Sequence, residues 1–294
     1  MTINFYCVGA QKAGTTTLHD ILKQHPDVFL PETKEAHFFD DDEKYKLGLN
    51  WYFNTFFEDY SNERVCGSCN PEYIYFKKVP KRIYKAFGSN IKLIFILRQP
   101  VDRAYSHYLM SKRRYIEELA FEDALAQEAT RIEKDYFSKT HFSYKTRGFY
   151  AEQIKHYLNY FPKENMMFVR FEDDFIKNKS KTIKAIFQFL EIKDIDLDVD
   201  IKSNAARSAH FKFMQSFIYK QNMIKSFFSL FVNQEFKNKI RSWVYALVMK
   251  PEKKKSLSLE FRNNLLKEYE SDIKELEKIT NKDFSSWLKS EKNQ

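Results

Sequence analysis

Two clusters in this chain combine residue types and spacings that suit chemistry. The first is Gly9-Ala10-Gln11-Lys12-Ala13-Gly14-Thr15-Thr16-Thr17. An apolar run ends in Gly9, a short loop follows, and an amphipathic pattern opens at Thr15, which predicts strand, tight turn and helix. Such a loop aims backbone N–H groups and a helix N-terminus at one point, a setting for an anion. Lys12 adds a mobile point charge, and three threonines add hydroxyl donors. The Gly9-x4-Gly14 spacing is that of a nucleotide P-loop. A P-loop NTPase, however, has Lys directly after the second Gly, then Ser/Thr for Mg²⁺. Here Thr15 and Thr16 follow Gly14, and the lysine stands two places before it. The loop can cradle a phosphate but lacks the pair that grips a triphosphate with its metal. The same letters also fit an ordinary strand–turn–helix corner with a stray lysine.

The second cluster closes the run Lys92-Leu93-Ile94-Phe95-Ile96-Leu97-Arg98. A continuous Ile- and Leu-rich run predicts a buried parallel strand. It ends in Arg98, where an NTPase would place a Walker-B acid. Pro100 and Asp102 then start a helix that carries Arg103, Ser106 and His107. An arginine fork matches phosphate geometry and a hydroxyl adds a donor. The alternative for Arg98 is a surface salt bridge.

With both clusters in view, the chain resembles the PAPS-dependent sulfotransferases of bacterial and heparan-sulfate type. PAPS is 3′-phosphoadenosine 5′-phosphosulfate. Gln11-Lys12-Ala13-Gly14-Thr15-Thr16 with Leu18 resembles their 5′-phosphosulfate loop, and Arg98 with Ser106 their 3′-phosphate motif. Lys34-Glu35-Ala36-His37-Phe38-Phe39 resembles a Lys-Glu-x-x-Phe-Phe segment that brings an acidic residue, here Glu35, to the active site. Taken alone, that segment reads as an exposed turn with two cancelling charges. Gly48 to Phe57 is similar to an aromatic segment of the family and reads as core packing, with an acceptor-cleft wall as the other use. Tyr150 matches a Gly-x-Tyr position close to the nucleotide. Ser203-Asn204-Ala205-Ala206-Arg207 is similar to a bacterial form of the late nucleotide loop. The Lys-Gly-Arg form is absent, and Arg207 becomes a candidate second 3′-phosphate contact.

The resemblance implies sulfuryl transfer from PAPS to a hydroxyl or amine, with release of PAP, 3′-phosphoadenosine 5′-phosphate. Lys12 would stabilise the leaving phosphate, and N–H groups of Ala13 to Thr17 would hold it. Glu35 would take the acceptor proton, with His37 and His19 in reserve. No metal is required. A small metabolite is the first expectation for the acceptor, and a sugar or polysaccharide the alternative. A nucleotide kinase is the rival enzyme, and a non-catalytic nucleotide-binding protein the rival outside enzymes.

The implied fold is α/β, a P-loop-like three-layer sulfotransferase fold with a central parallel sheet. It is expected as one domain over residues 1–294. Strands are expected at the first run, at 92–97 and at 166–171. Helices follow the loop and span Lys81–Phe87, Phe121–Arg131, Arg147–Phe161 and Lys179–Leu190. Residues 208–250 read as a Phe-rich helical insert or interface, with peripheral membrane contact as the alternative. Residues 255–290 read as terminal helices. Asp40-Asp41-Asp42-Glu43 reads as a solvated loop, with help in holding a cationic acceptor as the other use. The net charge of +9 suits a polyanionic ligand but does not by itself imply nucleic acid, and none is expected. No run of eighteen apolar residues appears, so no transmembrane helix is expected. Three cysteines cannot all pair within the chain, which favours a reducing, cytoplasmic setting. Cys66-Gly67-Ser68-Cys69 leaves a redox role open. A homodimer is also left open.

Overall fold

The computed structural model describes residues 2–201, 207–209, 249–251 and 257–289. The chain falls into two compact units, Met1–Ala104 with Lys145–Ser203 and Ser258–Gln294, and Tyr105–Tyr144 with Asn204–Leu257.

The first unit is built on a five-stranded sheet. Its strands are β1 (Phe5–Gly9), β2 (Val28–Phe29), β3 (Val65–Cys69), β4 (Lys92–Leu97) and β5 (Met166–Arg170). The order is β2-β3-β1-β4-β5, and every neighbouring pair is parallel. β1 lies in the middle, and all five of its residues are buried. A strand covered on both faces shows no polar alternation, which is why this run and β4 read as continuously apolar. The chain leaves β1 for the β3 side of the sheet and later crosses to the β4 side. The C-terminal end of β1 is therefore a topological switch point, where open α/β sheets leave a crevice for ligands.

The helices named from sequence are present with shifted bounds. α1 (Thr15–Leu22) follows β1, then α2 (Asp42–Lys46), α3 (Gly48–Phe56) and α4 (Val79–Phe87). α5 (Pro100–Arg113) follows β4, and the boundary between the two units falls within it. The helix expected at Phe121–Arg131 is two, α6 (Phe121–Ala126) and α7 (Glu128–Ile132), with Gln127 at the break. They are followed by α8 (Tyr136–Phe142). α9 (Tyr150–Leu158) begins later than expected because Thr146–Gly148 forms a 3₁₀ turn. α10 (Lys179–Leu190) matches its expected span. The terminal pair is Leu259–Thr280 and Ser285–Leu288.

β3 corrects the redox option. Cys66 and Cys69 lie three apart in a strand and so point to opposite faces, which no disulfide between them can span. All three cysteines are free and buried. Burial, with the Glu63 charge second, pushes the Cys66 thiol up to about 12, far from a reactive thiolate.

The acidic run is corrected in part: Asp42 and Glu43 are exposed as expected, but the run opens a helix. Asp40 is fully buried. The Asp41 side chain caps α2 by accepting from the N–H groups of Glu43 and Lys44. Asp42 pairs with Lys78 at 2.7 Å and with Arg82.

In the second unit, the Glu117 carboxylate gathers Arg131 at 2.8 Å, the Tyr144 hydroxyl at 2.9 Å, and the N–H groups of Glu118 and Leu119. Ser106 is half-buried on α5. Arg207–Ala209 pairs antiparallel with Met249–Pro251, so Met249 and Lys250 are strand where helix was expected. The rest of 210–248 lies outside the described residues, as does the Arg207 side chain. No helix among the described residues is long and apolar enough to cross a membrane.

Gly67 in β3 lies level with Phe5 of β1. A Cβ there would stand 2.1 Å from the Phe5 ring. Gly67→Ala is expected to destabilise the protein by about 1–3 kcal/mol, the usual cost of overpacking a core. Thermal denaturation checks this, and an unchanged melting temperature would show that Phe5 can move aside.

Candidate active site

The loop between β1 and α1 is tied down by backbone. The Ala10 N–H donates to the Ile96 carbonyl of β4 at 2.6 Å, and Ala13 N–H donates back to Ala10 at 3.1 Å. Lys12 and Gly14 both take left-handed conformations, with φ of 72° and 84°. Gly14 is the N-cap of α1, a position where its missing Cβ matters: a Cβ would lie 2.9 Å from the Phe171 ring. Among the described residues no side-chain hydrogen bond caps α1. The first N–H groups of the helix therefore remain for an anion, helped by the helix dipole. Thr15 is buried, while Lys12, Thr16 and Thr17 are half-buried.

Arg98, just past β4, reaches this loop. Its Nη1 donates to the Lys12 carbonyl at 2.9 Å, and its guanidinium lies over the Phe171 ring at 5.1 Å. Its buried Nε has no hydrogen-bond partner among the described residues, an open donor beside the loop. Tyr150 is fully buried at the start of α9, and its hydroxyl donates to the Arg98 carbonyl at 2.8 Å. Burial raises the Tyr150 phenol, so it stays a neutral donor. The structure thus gives Tyr150 a protein partner and a place behind Arg98. Glu172 holds the next residue: its carboxylate accepts from Gln99 N–H at 3.0 Å and from Trp287 Nε1 at 3.2 Å.

The segment after β2 carries Glu35. Lys34 Nζ lies 2.6 Å from Glu35 Oε1 and 3.4 Å from Thr15 Oγ1 on α1. His37 Nε2 lies 3.9 Å from Glu35 Oε2, and His37 Nδ1 lies 2.9 Å from Asp40 Oδ2. The backbone is pinned from both sides. His37 N–H donates to Asn70 Oδ1 at 3.3 Å, Lys44 donates to the Ala36 carbonyl at 2.7 Å, and Arg82 donates to the Phe39 carbonyl at 2.9 Å. Phe38 stacks on Tyr52 of α3 at 4.5 Å, which gives the aromatic segment its core role. His19 is buried, with its ring between Asp20 and the Pro31 carbonyl.

Two partnerships were not visible in the sequence. One is His37 with Asp40, whose only signal was a spacing of three. The other is Gln11 with Glu72: Gln11 Nε2 donates to Glu72 Oε1 at 2.6 Å, and the same buried carboxylate pairs with buried Arg147. Burial raises the Glu72 pKa, and the charges of Arg147 and His37 oppose that rise. The signal was Glu72 itself, an acid beside Pro71 in an otherwise uncharged stretch.

A parallel sheet with a loop and helix N-terminus at its switch point, a strand-end arginine and a carboxylate beside the loop define a P-loop-like sulfotransferase fold. The profile of the sulfotransferase domain matches residues 4–243. The chain belongs to this family. It is 30% identical over 203 residues to heparan sulfate glucosamine 3-O-sulfotransferase 5 of Mus musculus, covering 68% of this chain and 56% of that protein. It is 31% identical over 191 residues to heparan sulfate glucosamine 3-O-sulfotransferase 3B1 of Homo sapiens, covering 65% and 46%. The chain thus spans about half the length of the curated relatives it matches. The crystal structure of a sulfotransferase from Alicyclobacillus acidocaldarius superposes with a TM-score of 0.68 at 25% identity, over 98% of this chain and 100% of that one. Members of the family use PAPS as sulfuryl donor.

Burial would lower the His37 pKa. The hydrogen bond and charge of Asp40, then Glu72 and Glu35, outweigh it and raise the value above 6.5. A histidine raised in this way stabilises the fold fully below its unfolded pKa. That contribution is lost as pH rises through the folded value. Asp40→Asn is expected to lower the His37 titration and to remove the part of the stability profile that is lost as pH rises through the raised His37 pKa. Histidine NMR titration checks the first and denaturation against pH the second; an unmoved His37 would assign its shift to other groups.

Proposed function

We propose that this protein transfers the sulfuryl group of PAPS to an acceptor hydroxyl or amine, acting as one sulfotransferase domain over residues 1–294. The observation that carries the reading is the Thr15–Lys34–Glu35 contact, which joins an uncapped helix N-terminus to a carboxylate. The donor set fits a phosphosulfate: of the N–H groups expected from Ala13 to Thr17, that of Ala13 is taken by the Ala10 carbonyl, and those at the start of α1 are offered with the Lys12 ammonium and the threonine hydroxyls. Arg98, with its open Nε, is the candidate for the 3′-phosphate. Ser106 and Arg207 are its proposed companions. Gln11 contributes through its tie to Glu72. Tyr150 acts through the Arg98 carbonyl.

In the transfer, the acceptor oxygen or nitrogen attacks sulfur in line. The bond from sulfur to the bridging oxygen breaks, and PAP leaves. Lys12 and the loop N–H groups meet the charge that grows on that oxygen. Glu35 takes the acceptor proton. The positive field comes from protein groups, so no metal ion is invoked. The buried, unpaired thiols support a cytoplasmic setting.

A small metabolite remains the first acceptor class. A sugar hydroxyl is the second reading, favoured by relatives named for action on heparan sulfate glucosamine. A screen of small alcohols, phenols and amines beside glucosaminyl oligosaccharides, read by mass gain of one sulfo group, decides between them. No gain on any class under PAPS turnover conditions would count against transfer itself.

Arg98→Ala should weaken PAP binding by about 1.5–3 kcal/mol while leaving the 3′-dephospho nucleotide nearly unchanged. Equal weakening of both in calorimetry would make Arg98 structural. Glu35→Gln should lower turnover by about 10²–10⁴-fold with little change in PAP affinity. Lys12→Ala should reduce turnover more than affinity. Near-normal turnover in Glu35→Gln would pass the base role to His37.

A further inference from the structure

Lys34 is the residue whose contacts outrun the reading above. In the sequence it stands beside Glu35 as half of a cancelling pair of charges. In the structure its side chain is 14% exposed, and its ammonium lies 2.6 Å from Glu35 Oε1 and 3.4 Å from Thr15 Oγ1. An exposed lysine that merely neutralised its neighbour would extend into water, because ordering a long side chain costs rotamer entropy. This one is drawn inward to the first residue of α1, where the donor cradle begins.

We propose that Lys34 is a positioning residue that couples the donor cradle to the proton acceptor, holding Glu35 ionised and aimed from the side of the loop. The proposal rests on the assignment of Glu35 as base. Each Glu35 oxygen meets a different cation: Lys34 faces Oε1 and His37 faces Oε2. Glu72 lies close enough that the Glu35 charge raises its pKa. Cys69 on β3 feels both the Lys34 and Glu35 charges. Asp40 stands behind His37. Lys34 also touches the first residue of the loop helix, and so ties the carboxylate to the donor side. A cation at Thr15, the first residue of α1, also adds to the positive field at the loop, and fixed charge of this kind acts strongly in a site that excludes water.

The experiment uses the full chain and needs no known acceptor. Slow hydrolysis of radiolabelled PAPS, in which water takes the acceptor's place, gives kcat against pH for wild type, Lys34→Met, Lys34→Arg, Glu35→Gln and the double variant Lys34→Met/Glu35→Gln. Calorimetry with PAP reports donor binding and integrity of the fold. Isotope-edited carboxyl NMR of the nucleotide-free protein reads the Glu35 titration directly. An opposite charge within hydrogen-bond reach lowers a carboxyl pKa by about one unit or more. Lys34→Met is therefore expected to move the acidic limb of the profile and the Glu35 titration upward by about one unit. It should lower kcat while leaving PAP affinity little changed. Lys34→Arg should restore the limb, and Lys34→Met should shift nothing further once Glu35 is glutamine. An unmoved limb and unmoved Glu35 titration in Lys34→Met, with Glu35→Gln impaired, would overturn the role of Lys34 and leave the base assignment standing. Normal turnover in Glu35→Gln would remove the base assignment and this proposal with it.

Discussion

The site depends on how the loop after β1 is fastened to β4. The loop contains two left-handed residues, Lys12 and Gly14, and a free chain would not keep that shape. It persists because β1 and β4 are parallel neighbours whose C-terminal ends emerge together. Ala10 N–H reaches Ile96, and Arg98 reaches back to the Lys12 carbonyl. One strand end thus shapes the loop and supplies the arginine that stands beside it. The N–H groups of α1 are then aimed without any cap of their own.

Around this fastening, charges are buried in pairs. Glu72 and Arg147 are each 2% exposed, and Gln11 of the loop shares the Glu72 carboxylate. Breaking one partner of such a pair strands the other charge in a poor solvent, at about 3–5 kcal/mol. Glu72 also sits within electrostatic reach of His37 and Glu35. The loop and the Glu35 segment therefore answer to one carboxylate from behind and to Lys34 from in front. The arrangement resists independent movement of the loop and the Glu35 segment, which would suit the in-line transfer proposed above.

Much of this was legible before any coordinates. Gly9 to Thr17 announced strand, loop and helix because the apolar run and the glycines are local signals. Lys92 to Arg98 announced a buried strand for the same reason. β2 was missed because it is two residues long. β3 was missed because Cys66, Gly67, Ser68 and Cys69 have no β-branched signature; their strand state comes from pairing with β1 and β2. In Asp40 to Glu43 the last two acids do face water, as charge runs usually do, but the partners of the run are not all local. Here His37, the N-terminus of α2, and Lys78 with Arg82 each claim one acid. Those partners are distant or of unremarked spacing, so no window on the sequence reveals them. Tyr150 is a candidate for the nucleotide by its place in the sequence, and what no sequence window shows is that its hydroxyl holds the backbone of Arg98.

The helix Leu259–Thr280 and the turn after it lie past residue 243, where the likeness to the family profile stops. Yet Arg262 grips Asp102 at the head of α5 with two hydrogen bonds, of 2.6 and 3.1 Å. The Asp272 carboxylate accepts the N–H groups of Ala151 and Glu152, sealing the first turn of α9 from another helix. Trp287 completes the hold on Glu172. Three ends that frame Arg98 are thus finished by residues from the far end of the chain. A protein trimmed to the recognisable segment would keep each motif in its alphabet and lose the clamp that gives them common alignment. The family profile and mechanical completeness have different borders in this molecule.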